Sequence, residues 1–345
     1  MIYLYLTRLL LNLPQFFLIW LSGKRQVTTK GNRKLDPGFQ FLLNHIGEID
    51  PSKIDLSLPA SDIRDILFKA QEPIKALEAP LTKGVSYKDH QVSSEGELIR
   101  VREYTNEGAS RNAPALIYFH GGGWVFFNIE SHHIFTGFLC KTLNAKVFSV
   151  DYRLAPENPY PAALNDFDAV FDWLELNHED LGIDPKRISV GGDSAGGNLS
   201  ACISISRQER EKSLPKAQLL IYPVTDLTFS SDSIEELAEG FFLTKEVMYW
   251  FRDKYLGDHK TIKDPLISPL FAKDLSHQPP AVVITAGFDV LRDEGEAYAK
   301  LLKNSGVETY YHEFQGYIHG FVNMEIVKGV NKSIIEFCED FKKIY

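Results

Sequence analysis

Ile188-Ser189-Val190-Gly191-Gly192-Asp193-Ser194-Ala195-Gly196-Gly197 decides how this chain reads. Residues 188–191 form a short apolar run of buried-strand character, and helical spacing begins after Ser194. Between them stands G-x-S-x-G. Strand, tight turn and helix in that order raise a serine hydroxyl above the end of a sheet as a nucleophile. The small flanking residues have a physical reason. On so sharp a turn, larger side chains would run into neighbouring backbone. Gly and Ser are common in ordinary turns, so the pattern draws its force from its context.

Outward from this turn the chain alternates. Residues 115–119, 146–150, 217–222 and 281–286 are further apolar runs of strand length, 309–314 is a last strand and 327–343 a last helix. Leu164, Phe167, Val170, Phe171 and Leu174 keep helical spacing between two of them. Such alternation implies a mostly parallel sheet covered by helices on both faces. Residues 85–92 and 97–105, with Gly96 between, read as a hairpin ahead of it. Residues 35–80 read as helices. One starts at Asp36-Pro37 with Phe39, Leu42, Leu43 and Ile46 as its apolar face, and Ser61 caps a second. Residues 226–267 interrupt the pattern, with no strand run but with Phe241, Phe242, Val247, Trp250, Phe251 and Tyr255 in helical texture. That is long for one crossover. The expected organisation is an α/β catalytic domain over 85–225 and 268–345, with a helical cap from 1–84 and the 226–267 insertion.

A serine nucleophile needs a base, an acid to orient the base, and donors for the developing oxyanion. His120-Gly121-Gly122-Gly123-Trp124 follows the strand at 115–119. Its glycines let backbone N–H groups approach a ligand, which suits an oxyanion hole. In the chain order serine, acid, histidine, only His312 and His319 lie late enough to be the base. His312 sits inside a strand pattern. His319 lies in the loop after it and is favoured. Asp289 follows the strand at 281–286 and is the favoured acid, with Asp226 as its rival. Asp293, a helical turn on, points elsewhere. Asp193 is expected to make a structural hydrogen bond, its side chain pointing away from the serine.

Composition narrows the alternatives. The chain has 345 residues, 44% hydrophobic and 24% charged, a globular balance. A net charge of −9 argues against nucleic acid as a partner. Cys140, Cys202 and Cys338 are too few and scattered for a disulfide framework and read as buried thiols. His132 and His133 are adjacent rather than a turn apart, so no metal pair is expected, and no cofactor motif stands in a supporting context.

Residues 1–22 are unusually apolar. Arg8, Asn12, Gln15 and Ser22 fall on one helical face, and Leu6, Leu9, Leu10, Leu13, Phe16, Phe17 and Trp20 oppose them. The favoured expectation is an amphipathic lid element burying this apolar face in the protein, with a kink at Pro14. A lipid surface is the alternative, and a membrane span fits least. The location expected is cytoplasmic, with peripheral membrane association as the alternative.

At this point the chain resembles the hormone-sensitive lipase-like family of α/β-hydrolases. The resemblance rests on His120-Gly121-Gly122-Gly123-Trp124, Asp151-Tyr152-Arg153-Leu154-Ala155-Pro156-Glu157, the run from Gly192 to Asn198, the run from Asp289 to Gly295, and His319-Gly320-Phe321. Order and spacing agree over residues 85–345. It implies an α/β-hydrolase fold with a helical cap, Ser194 as nucleophile, Asp289 as acid and His319 as base. It implies an oxyanion hole from the N–H groups of Gly122, Gly123 and Ala195. Trp124 is expected to contact the substrate. The implied activity is cofactor-free hydrolysis of short- to medium-chain carboxylic esters, with an interfacial lipase as alternative. A catalytically silent receptor on the same fold is disfavoured because His319 is present. A homodimer is left open. The apolar start, residues 1–21, departs from what a bacterial-type esterase of this kind usually carries.

Overall fold

The structure is a computed structural model that describes residues 7, 9–23, 25–45, 53–75 and 82–345, with the backbone alone at 70–75. Leu6, Arg8 and Ile46 of the sequence argument lie outside the described residues. Ahead of the sheet lie α1 (Gln15–Leu21), α2 (Pro37–Leu43) and α3 (Ala60–Lys75). The hairpin follows as β1 (Val85–Ser94) and β2 (Glu97–Asn106). Glu95 and Gly96 take φ of 51° and 90°, the left-handed pair that a two-residue turn between twisted strands requires. Then come β3 (Ala113–Phe119), α4 (His133–Leu143), β4 (Lys146–Val150), α5 (Ala162–Leu176), α6 (His178–Leu181), β5 (Ile183–Asp193) and α7 (Ala195–Glu209). The chain closes with β6 (Gln218–Ile221), α8 (Asp232–Glu236), α9 (Lys245–Leu256), β7 (Ala281–Phe288), α10 (Arg292–Asn304), β8 (Thr309–Ile318) and α11 (Val330–Ile344).

The eight strands form one sheet in the order β1-β2-β4-β3-β5-β6-β7-β8. The pairs β1/β2 and β2/β4 are antiparallel and all others are parallel. Every residue of β3 and β7 is buried, which is why these strands read as unbroken apolar runs rather than alternating ones. Helices supply the cover. Phe167 of α5, for example, stacks on Phe119 of β3 at 3.8 Å between ring centres.

The register positions the chemistry before any side chain does. Phe119 pairs with Gly192, and Asp193 with Ile221, so the serine turn emerges between the ends of β3 and β6. Phe288 pairs with Ile318, so the next residue of each strand, Asp289 and His319, leaves the sheet side by side. All of these are carboxyl ends of parallel strands, where open α/β sheets place their sites.

The N-terminal expectation needs correction. Residues 11–14 form a turn, with Pro14 at the N-cap of α1, so one helical face does not run from residue 8 to residue 22. Leu11 and Leu18 point inward and form a small cluster with Phe41, separate from the main core. Leu9, Leu13, Phe16, Phe17 and Trp20, expected to be covered, are exposed. Ser22, assigned to the polar face, is buried and donates its hydroxyl to the Leu18 carbonyl at 2.8 Å. The Asp36 cap forms as read, its Oδ1 accepting from Gly38 N–H at 2.7 Å, but α3 begins at Ala60, so Ser61 lies inside it. The insertion reaches the N-terminal segments, Trp250 donating its indole N–H to the Leu56 carbonyl and Glu236 accepting from the Lys30 N–H, both at 3.0 Å.

Candidate active site

Ser194 sits between β5 and α7 with φ 56° and ψ −118°, a conformation costing about 1–3 kcal/mol for a residue bearing a Cβ. The surroundings hold it there. Its N–H donates to the Ile221 carbonyl of β6 at 2.8 Å. A Cβ on Gly196 would stand 1.8 Å from the Phe119 carbonyl oxygen, so the turn and β3 approach as closely as only glycine allows.

The structure brings the three side chains singled out from the sequence into one chain of hydrogen bonds. His319 Nε2 is 2.9 Å from Ser194 Oγ, and His319 Nδ1 is 2.7 Å from Asp289 Oδ2. The other carboxylate oxygen of Asp289 accepts from Leu291 N–H at 2.9 Å. Tyr222 lies against the imidazole, 4.5 Å between ring centres. Ser194, Asp289 and His319 are all buried. Neither rival joins them. Asp226 is occupied by Thr228 and Ser230, and His312 by Asp340 at 2.9 Å. Asp293 turns to Arg292 and the Ser233 N–H.

Above the serine runs the glycine loop. Gly122 and Gly123 take φ of 117° and 59°. Among the described residues, the N–H groups of Gly122, Gly123 and Ala195 have no hydrogen-bond acceptor. Ala195 is the first residue of α7, where an N–H lacks an intrahelical partner and faces any anion held at the helix start. His120 stays neutral. Burial, aided by the neighbouring His132, lowers its pKa to about 3, and its Nδ1–H donates to the Gly121 carbonyl at 2.7 Å.

Asp193 makes a structural hydrogen bond of the kind expected, and its partners, which the sequence did not reveal, explain how the loop is held. Its Oδ1 accepts from Gly121 N–H at 2.9 Å and from Tyr118 OH at 2.5 Å, with His132 Nε2 at 3.3 Å. Burial opposes its charge, but His132, Tyr118 and the Gly121 N–H together hold the carboxyl below its ordinary range. The residue before the serine thereby ties the serine turn to the glycine loop. Sequence spacing gave no signal for this, because Gly121 and Asp193 meet only through the β3/β5 register.

Trp124 has a different place from the one expected. Its indole is fully buried and stacks on Tyr255 of α9 at 4.3 Å, so it fixes the loop against the insertion instead of lining an opening. Two aromatic residues that the sequence placed in the insertion, Phe242 and Phe251, lie against the loops of the site. A Cβ on Gly123 would stand 2.1 Å from the Phe251 ring, and one on Gly320 would stand 3.2 Å from Phe242. A separate hollow of about 820 Å³ lies between residues 238 and 249, lined by Glu239, Lys245 and Tyr249 among others, and none of Ser194, Asp289 and His319 borders it. Among the described residues no group of three or more His, Cys, Asp or Glu side chains is placed to hold a metal ion.

Comparison with known proteins agrees with this architecture. A family model described as the alpha/beta hydrolase fold matches residues 116–323. The carboxylic ester hydrolase LipN of Mycobacterium tuberculosis is 36% identical over 312 residues, covering 88% of this chain and 81% of LipN. Ethyl acetate hydrolase of Pseudomonas putida is 32% identical over 278 residues, covering 79% of this chain and 84% of that protein. Among solved structures, an ester hydrolase from the metagenome of Lake Arreo, complexed with a bipyridine phosphonate derivative, superposes with a TM-score of 0.83. It is 35% identical and covers 90% of this chain and 98% of its own.

Proposed function

The chain belongs to the hormone-sensitive lipase-like family of α/β-hydrolases and is a carboxylic ester hydrolase, and from that premise we propose that it works through an acyl-enzyme on Ser194. His319 Nε2 takes the hydroxyl proton as Ser194 Oγ attacks the ester carbonyl. Asp289 keeps the imidazole in the tautomer that presents Nε2 as acceptor and stabilises the imidazolium that forms. The N–H groups of Gly122, Gly123 and Ala195 receive the developing oxyanion. The imidazolium protonates the leaving alcohol. Water, deprotonated in turn by His319, then releases the carboxylic acid. The observation that carries this reading is the unbroken relay of 2.9 Å and 2.7 Å contacts from Ser194 through His319 to Asp289.

The substrates are small-molecule esters, and we read the acyl range as short to medium. Phe242 and Phe251 support this, since they lie against Gly320 and Gly123, the neighbours of His319 and of the proposed oxyanion donors, and Ser194 itself is buried. Residues 1–84 and 226–267 then act as a cap whose inward-facing side chains limit chain length and exclude water, the exposed side chains of residues 9–25 taking no part. A cytoplasmic working location is supported by three buried, unpaired cysteines. No helix among the described residues is long and apolar enough to cross a membrane.

An acyl-chain series of chromogenic esters tests the range, with a fluorophosphonate to label the nucleophile. Each added CH₂ that finds the pocket contributes about 0.8 kcal/mol, so kcat/KM rises with chain length until the pocket is full and then falls. One equivalent of label on Ser194 and a short- to medium-chain optimum are the expected outcome. A steady rise to long-chain triglycerides points instead to an interfacial lipase. Labelling elsewhere removes Ser194 from the mechanism.

A further inference from the structure

The large apolar side chains that the described residues leave exposed concentrate near the amino terminus. Leu9, Leu13, Phe16, Phe17 and Trp20 are 65%, 37%, 64%, 42% and 74% exposed. They lie within one short segment, whose inward side is already satisfied by the packing of Leu11 and Leu18 on Phe41. A contiguous apolar patch of this kind marks an interaction surface, whereas scattered exposed leucines do not. Its composition is that of a headgroup-level contact, with two phenylalanines and a tryptophan beside leucines.

Charge selects the partner. Residues 1–35 contain Arg8, Lys24, Arg25, Lys30, Arg33 and Lys34 and no acidic residue. Removing these six from the 37 basic residues leaves 31 against 46 acidic ones in the rest of the chain. The apolar patch therefore sits in a basic end on an acidic body. A symmetric dimer through this face would set two basic segments against each other, which like-charge repulsion opposes. A negatively charged lipid surface meets both features at once. The segment lies along the protein, since Leu11 and Leu18 anchor it, and α1 has only seven residues, so it lies on a membrane and does not cross it.

We propose that residues 9–25 dock this protein on anionic lipid bilayers, Phe16, Phe17 and Trp20 entering the headgroup–acyl boundary while the neighbouring basic side chains meet lipid phosphates. The docking rests on surface groups and is independent of the ester chemistry. It bears on access nonetheless. The segment packs on α2, whose N-cap Asp36 donates its backbone N–H to the Gly316 carbonyl at 2.9 Å, in the stretch leading to His319. A bound bilayer is thus linked through one helix to the catalytic loop.

The test is co-sedimentation of the full-length protein with vesicles of phosphatidylcholine alone and of phosphatidylcholine mixed with phosphatidylglycerol. The mixed vesicles capture the protein, added salt weakens the capture, and the neutral vesicles capture less. A Phe16→Ser/Trp20→Ser variant and, separately, Arg25→Glu each lower partitioning about tenfold or more. Both keep wild-type rates on a water-soluble short ester and the wild-type melting temperature, because these side chains are exposed. Equal partitioning of wild type and both variants overturns the proposal, as does no capture by anionic vesicles. A dimer in sedimentation velocity that the double variant dissociates also overturns it, by assigning the face to a second copy of the chain.

Discussion

The roles proposed for Ser194, His319 and Asp289 rest on single atoms, and the effects of changing them should be large. Ser194→Ala is expected to lower kcat by about 10³ or more with an unchanged melt, because only binding and the oxyanion donors remain. His319→Ala costs as much, whereas His312→Ala, which loses contacts with Asp340, Glu336 and Phe314 away from Ser194, leaves kcat within about twofold of wild type. A reversed pair of results would exchange the two histidines. Glu294 offers a pH test near the site. Its Oε1 accepts from Thr225 and Asp226 N–H at 2.7 and 3.1 Å, and burial, opposed only partly by these bonds, pushes its pKa well above the usual carboxyl range. The folded state therefore favours the neutral acid. The unfolded carboxyl ionises near 4.3, so this group's contribution to stability is fully present below about pH 4 and is lost as pH rises through the folded pKa. Glu294→Gln keeps the accepting oxygen and removes the titration. Melts from pH 5 to pH 9 should fall more steeply for wild type than for the variant, and parallel curves would show that Glu294 does not titrate there.

At the scale of elements, the glycine loop is clamped from several sides. Arg64 of α3 donates to the carbonyls of Val125 and Ala155 at 2.7 and 2.6 Å and pairs with Glu157. The ion pair itself is half exposed and adds little. The two charged hydrogen bonds to backbone are together worth on the order of 3–6 kcal/mol. Arg64→Ala should lower stability by about that amount and reduce kcat, since Val125 lies directly after the oxyanion segment. Lys at this position should not restore it, because a single ammonium lacks the planar fork that reaches both carbonyls. The loop meets α9 through Gly123. Gly123→Ala adds a Cβ 2.1 Å from the Phe251 ring at φ 59°. The clash and the left-handed strain should together cost about 2 kcal/mol or more and lower kcat. Phe251→Ala in the same chain relieves the clash and leaves the strain, so partial rescue is the expected outcome. Complete additivity of the two changes would show that the ring does not press on the loop.

For the molecule as a whole, the amino-terminal segment is the place where local pattern and tertiary packing part company. Leu18→Ala should destabilise by about 2–3 kcal/mol, while Trp20→Ser leaves the melting temperature nearly unchanged. The opposite ranking would restore the inward-facing reading of the aromatic residues. That reading assumed one continuous helix. Pro14 and the turn at residues 11–14 divide the segment, and which face of each piece turns inward depends on Phe41 and Ile326, far apart in sequence from one another. The parallel sheet was legible because a strand covered on both faces must be apolar throughout, as residues 115–119 and 281–286 are. The serine turn was legible because a strained backbone admits only small neighbours, and the acid and base because the fold fixes their chain order. Other features carried no local signal. The tie from Asp193 to Gly121, the ring of Phe251 on Gly123 and the burial of Trp124 behind Tyr255 each join groups distant along the chain. Sequence by itself singled out the residues proposed to carry the ester chemistry and the strand ends at which they stand, since backbone strain and burial constrain residue type locally. Tertiary structure alone decided what presses on them and what is left bare to solvent, since long-range packing selects among faces that the local pattern treats alike.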